Sequence, residues 1–199
     1  ESSRPGADPV EEGEELRRLI PVVEAVREAV SLPISVDTTK AAVARLAIQA
    51  GALIVNDISA LQGDPLMAGL VAETGVAVVL MHMQGTPRTM QRSPRYGNVV
   101  EEVTVFLRQR AQEAIARGIR PTQIILDPGF GFGKLQEHNL HMLAEFDAFT
   151  KLGYPVLAGV SREQFIANLV RLPGDQRAFG NSGAVAVAVL KGAHIIRVH

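Results

Sequence analysis

Six short apolar runs rich in β-branched residues each stop at a polar side chain, and this recurring ending constrains the fold more than any other feature of the chain. The runs are Ile34-Ser35-Val36-Asp37, Leu53 to Asn56-Asp57, Val76 to His82, Gln123 to Asp127, Pro155 to Ser161-Arg162, and His194 to Arg197-Val198-His199. Helical spacing fills the intervals, as in Leu16, Leu19, Ile20, Val23 and Val26. Buried strands alternating with helices predict a parallel α/β fold. In such folds the loops after the strands share one face, so polar strand ends distant in sequence are expected to converge there.

The pattern predicts helices over 7–30, 39–50, 65–73, 99–118, 137–152, 162–169 and 184–191, and strands over 32–37, 52–58, 76–83, 123–127, 156–160 and 194–198. Six strand and helix units fit either an open doubly wound sheet or most of a (β/α)8 TIM barrel, which typically runs to about 250 residues. No Gly-x-Gly-x-x-Gly follows the first strand, and donors and acceptors follow every strand rather than one switch point. That spread favours the barrel, with residues 1–199 read as a single, partial barrel domain.

The 199 residues are 47% hydrophobic and 21% charged with a formal net charge of -1, which fits a domain with a substantial core and no basic surface for nucleic acid. The chain has no cysteine, so neither disulfides nor thiolate metal sites are expected. No apolar stretch reaches transmembrane length, so no membrane partner is expected and the cytoplasm is the default location. Because the chain opens on Glu1 rather than Met, a preceding segment is expected.

The loop Asp127-Pro128-Gly129-Phe130-Gly131-Phe132-Gly133-Lys134 stands out locally. It is not a P-loop: only three residues separate Gly129 from Gly133-Lys134, and Leu135 follows where Ser or Thr is needed. Its two phenylalanines either offer a face to a flat ring or simply fill the core beneath a glycine-rich turn.

Asp37 and Asp127 end strands among apolar neighbours, where a carboxylate needs a hydrogen-bonding partner. The amino-pyrimidine edge of a heterocycle offers two parallel N–H donors to such a group, and Asn56 could add a donor and an acceptor. Plainer roles compete: Asp37 as a helix cap near Lys40, Asp127 in an Asp-Pro-Gly turn, and Asn56-Asp57 as a cap on the next loop. After the last two strands, Ser161, Arg162, Arg197 and His199 form a candidate anion site, with ion pairing to nearby carboxylates as the alternative. His82 reads as a satisfied core residue, not a catalyst. His138 and His141, three apart without a third ligand, are expected to face solvent rather than to bind zinc.

Taken in order, Glu1-Ser2-Ser3-Arg4-Pro5-Gly6-Ala7, Ser35-Val36-Asp37-Thr38, Val55-Asn56-Asp57-Ile58, Met81-His82-Met83-Gln84-Gly85, Leu126 to Lys134, Ser161-Arg162 and Ile196 to His199 resemble dihydropteroate synthase across essentially the whole chain. The resemblance implies a (β/α)8 barrel, here without the first two strands and the last helix. It implies a transferase of folate biosynthesis that joins 6-hydroxymethyl-7,8-dihydropterin diphosphate to p-aminobenzoate, releasing diphosphate. By that analogy Asp37, Asn56 and Asp127 meet the pterin edge, and Ile58, Met81 and Phe132 pack on its ring. Arg197 stacks on the pterin and reaches the diphosphate, which Ser3, Arg4 and His199 also hold. Pro5 and Arg162 border the p-aminobenzoate site, and Asp37, Arg197 and His199 carry the catalysis. Mg2+ and a homodimer are further implications, the metal's protein ligand lying outside this stretch. One departure is plain: Glu163 and Gln164 stand where the family has Lys and Ser. That leaves a pterin-binding module without synthase activity as the alternative.

Overall fold

A computed structural model describes residues 3–160, 165–166 and 177–198. Among these, strands and helices alternate as the sequence predicts. The elements are α1 (Glu12–Ala29), β1 (Ser35–Asp37), α2 (Ala41–Gln49), β2 (Ile54–Asp57), α3 (Met67–Thr74), β3 (Ala77–Met81) and α4 (Val99–Ala116). A 3-10 turn at Pro121–Gln123 leads into β4 (Ile124–Asp127), followed by α5 (Gln136–Ala144), α6 (Asp147–Thr150), β5 (Leu157–Ala158), α7 (Arg177–Leu190) and β6 (Ile195–Ile196). Every predicted strand is present, each shorter than its apolar run because pairing ends before the hydrophobic residues do. Expectations for Glu1, Ser2, Ser161, Arg162, Glu163, Gln164, His199 and the helix over 162–169 lie outside the described residues.

The chain forms two compact units, one of residues 1–81 with 109–125, the other of residues 82–108 with 126–199. In the first, β1 pairs with β2 and β2 with β3, all parallel, with Asp37 opposite Asn56. The sheet order is β1-β2-β3-β4. Val36, Val55, Val78 and Leu80 are buried in the strands, and α2 and α3 bury Val43, Ala44, Ala47, Met67 and Leu70. Gly75 ends α3 in the left-handed conformation at φ 75°, where a side chain would be strained. Gln123 then fastens the start of β3: its Nε2 donates to the carbonyls of Val71 at 3.0 Å and Val76 at 2.8 Å.

In the second unit, β5 pairs with β6 in parallel, and Leu126 bridges to Val156. The single helix expected over 137–152 is two: Glu145 leaves the helical conformation at φ -112°, ψ 28°, ending α5. The turn brings Phe146 and Phe149 both into the core, edge to face with ring centroids 5.8 Å apart.

Candidate active site

In the first unit, Asp37 and Asn56 are register neighbours on adjacent parallel strands, so their side chains leave the sheet on the same face. Asn56 Nδ2 donates to Asp37 Oδ1 at 2.7 Å. Asn56 is only 3% exposed, and its Oδ1 is the single buried side-chain acceptor without a hydrogen-bond partner among the described residues. Leaving such an oxygen unpaired costs about 1–3 kcal/mol.

Asp57, the next residue, points to the opposite face and does structural work. Its carboxylate accepts from Ser59 N (2.8 Å), Ser59 Oγ (2.6 Å) and Leu61 N (3.0 Å). Burial pushes its carboxyl pKa up, partly offset by these donors. The turn it caps places Ala60 and Leu61 at φ 51° and 66°, a left-handed conformation costing about 1–2 kcal/mol per residue. Arg110 Nε donates to Ala60 O at 2.8 Å and holds the same turn, in which Ile58 sits half-buried. The loop-cap role thus belongs to Asp57 and not to Asn56.

Nor does Asp37 cap α2. Ala41 N donates instead to Asp64 Oδ2 at 2.8 Å, and Lys40 N to Thr38 Oγ1 at 3.2 Å. Asp37 itself is half-buried, and Met81 closes β3 with its side chain buried.

Glu15 supports this strand end, and sequence reasoning passed over it. Buried in α1, it accepts from Thr38 Oγ1 at 2.8 Å and from Lys40 Nζ at 2.7 Å, fixing the residues that follow Asp37. Burial raises its carboxyl pKa, but the Lys40 and Thr38 donors outweigh that and hold it below the ordinary value. The only available signal was its place within the helical stripe of Leu16 and Leu19, where an acid would be expected to turn outward.

In the second unit, Asp127 ends β4 buried, its Oδ1 accepting from Gly129 N at 2.7 Å. The turn role and a recognition role are therefore compatible, because a carboxylate has several lone pairs. The two phenylalanines differ in burial. Phe130 is core, stacked near Phe146 and Phe165 with centroids 6.2 and 6.1 Å away, whereas Phe132 stays half-buried.

His82 is the satisfied core residue expected. Its Nδ1 lies 2.9 Å from Lys134 Nζ, and its ring packs edge-on to Phe106 at 4.9 Å. Burial, then the Lys134 charge, push its pKa down to about 2, so the imidazole is neutral. His138 does not face solvent as expected: it packs edge-on against Tyr96 at 4.9 Å, while His141 is exposed. Nothing in the helical pattern around His138 signals that partner.

Arg197 is exposed, and its backbone N donates to Ala158 O at 3.1 Å, carrying β6 one residue beyond its strand. Ser3 is half-buried and Arg4 and Pro5 are exposed, in a turn closed by Ala7 N to Arg4 O at 3.0 Å.

The family described as pterin binding enzyme matches residues 1–199. A curated relative from Haemophilus influenzae, a dihydropteroate synthase, is 48% identical over 199 residues, covering all of this chain and 72% of the relative. The chain belongs to the dihydropteroate synthase family. The dihydropteroate synthase of Escherichia coli is 44% identical over 199 residues, all of this chain and 70% of the relative. Among solved structures, the Yersinia pestis dihydropteroate synthase in a sulfonamide drug complex is similar at TM-score 0.95 and 43% identity, covering 100% of this chain and 72% of that one. The Xanthomonas albilineans dihydropteroate synthase with 4-aminobenzoic acid is similar at TM-score 0.93 and 44% identity, covering 100% and 71%. The fold class is therefore the α/β TIM barrel of the dihydropteroate synthases, of which this chain spans part.

Proposed function

We propose that this chain condenses 6-hydroxymethyl-7,8-dihydropterin diphosphate with p-aminobenzoate to give 7,8-dihydropteroate and diphosphate, the transferase step of folate biosynthesis. What carries the proposal is Asn56: a buried acceptor with no protein partner, hydrogen-bonded through its amide nitrogen to Asp37. A pterin's amino-pyrimidine edge supplies the donor that Asn56 Oδ1 lacks and N–H groups for a neighbouring carboxylate. The family match over residues 1–199 supports treating the chain as one pterin-binding domain, and the Xanthomonas albilineans relative has been solved with 7,8-dihydropteroate.

Asp37, Asn56 and Asp127 are assigned to the pterin edge, and Ile58, Met81 and Phe132 to its ring. Arg197 is assigned to both ring and diphosphate, Ser3, Arg4 and His199 to the diphosphate, and Pro5 and Arg162 to p-aminobenzoate. In the reaction the aromatic amine forms a C–N bond to the pterin methylene carbon as the C–O bond to diphosphate breaks. The bonding pair leaves with the diphosphate, and the amine loses one proton. Asp37 stabilises positive charge developing on the pterin, while Arg197 and His199 stabilise the departing anion. These groups act by being in place before charge moves.

Mg2+ is the metal the family implies. Among the described residues no group of three or more His, Cys, Asp or Glu side chains could hold a metal ion, and every step above is assigned to side chains. A homodimer is proposed with the family, and the exposed Phe179 and Leu190 of α7 offer apolar surface for a second copy. A cytoplasmic setting is proposed from the bacterial relatives, and no described helix is long and apolar enough to cross a membrane.

Asp37→Asn should lower kcat/KM for dihydropteroate formation on the order of 10²-fold. Glu163 places a negative charge where the family has lysine, so Glu163→Lys should raise the rate with an anionic co-substrate. A full-length protein that forms no dihydropteroate, with or without Glu163→Lys, would overturn the assignment.

A further inference from the structure

We infer that Lys134 is a positioning residue for pterin recognition, acting through the loop it closes; this rests on the function proposed above. Its side chain is 3% exposed, although a lysine belongs to the residue types least often buried. The ammonium lies 2.9 Å from the carbonyl oxygen of Gly129, 2.9 Å from that of Phe132, 3.3 Å from that of His82 and 2.9 Å from His82 Nδ1. Gly129, Gly131 and Gly133 take left-handed φ values of 69°, 81° and 63°, so the loop has no regular ladder of its own and its carbonyls need other donors.

Side chains supply those donors. Lys134 serves Gly129 and Phe132, Gln91 Nε2 serves Gly131 O at 2.6 Å, and Tyr96 Oη serves Gly133 O at 2.8 Å. Lys134 is the central one, because it joins the two ends of the functional part of the loop. Gly129, whose carbonyl it holds, donates its N–H to Asp127, and Phe132, whose carbonyl it also holds, carries the half-buried ring. An ammonium has only donors, so His82 must accept at Nδ1 and carry its proton on Nε2. The neutral state of His82 permits that and avoids two buried cations side by side.

Replacing the ammonium with a methyl group would leave buried carbonyls facing one another, and the loop would move to find water. Asp127 and Phe132 would then lose the geometry that a rigid ligand requires. Removing only the His82 acceptor should loosen the same clamp more gently.

The test uses the full-length protein and calorimetry with 6-hydroxymethyl-7,8-dihydropterin diphosphate, together with steady-state KM for both substrates and thermal unfolding. Lys134→Met should raise the pterin Kd and KM at least tenfold while leaving the p-aminobenzoate KM within twofold. His82→Leu keeps volume but offers no acceptor, and should raise the pterin Kd threefold or more. His82→Asn, which keeps an acceptor oxygen, should bind within twofold of wild type. That contrast keeps the proposal falsifiable even if Lys134→Met does not fold. Equal pterin affinity in His82→Leu and His82→Asn would overturn it, as would a folded Lys134→Met that binds pterin like wild type. Wild-type protein that takes up no pterin would instead overturn the function on which the proposal stands.

Discussion

At the ends of β1 and β2, Asn56 keeps a buried oxygen with no protein partner, whereas in the Asp127–Lys134 loop the carbonyls of Gly129, Gly131, Phe132 and Gly133 each receive a side-chain donor. Both regions follow parallel strands that end in a carboxylate or amide. The first is regular backbone, whose shape the sheet guarantees, so its side chains are free to remain unsatisfied. The second is irregular, so side chains must build its shape before any of it can recognise a ligand. A polar strand end can be specialised for binding at the expense of stability, while a glycine loop must first be stabilised.

Gly133→Ala should break this contrast most severely. An added Cβ would lie 2.4 Å from Gln84 O and 2.9 Å from Gln84 N, both backbone atoms, at φ 63°. Overpacking and left-handed strain together should cost about 3 kcal/mol of folding free energy, read from urea unfolding. A loss under 1 kcal/mol would mean that the loop is not locked against the segment carrying Gln84.

Asn56→Leu should do the opposite, and with a smaller effect. Pterin affinity should fall by about 1–2 kcal/mol, tenfold or so, as hydrogen bonds to the ligand disappear. Folding stability should stay within about 0.5 kcal/mol, because the variant loses the bond to Asp37 but also removes the unpaired oxygen. Large destabilisation with unchanged pterin binding would reverse the roles assigned to the two regions.

The smallest effect is a pH dependence confined to the second unit. His82 has a folded pKa of about 2 against an ordinary 6.5, so between those values the unfolded chain binds one more proton. Its contribution is complete above pH 6.5 and is lost progressively as pH falls toward 2. Between pH 6 and pH 5 this residue alone should remove roughly 1 kcal/mol of stability, and His82→Leu should lack that decrement. Parallel stability curves for the two proteins over that interval would place His82 in contact with water.

Much of the fold was legible because strand and helix periods differ and each apolar run stops at a polar residue. Asp37, Asn56 and Asp127 stood out for the same reason: a polar group among β-branched neighbours needs an explanation. What period cannot report is which of two adjacent polar residues faces a ligand. Asn56 and Asp57 are indistinguishable in pattern, and strand alternation set one beside Asp37 and turned the other into its own loop. Glu15 was invisible because its partners, Thr38 and Lys40, are more than twenty residues away.

The sequence by itself determined the α/β class, the positions of the strand ends and the family, since these depend on local pattern and ordered motifs. Tertiary structure alone decided that Lys134 is buried, that His82 is neutral beside it and that Phe130 and Phe132 part company. Those outcomes depend on which carbonyls and rings the folded chain brings around a side chain, and hydrogen-bond satisfaction in a dry interior is set by neighbours in space, not along the chain.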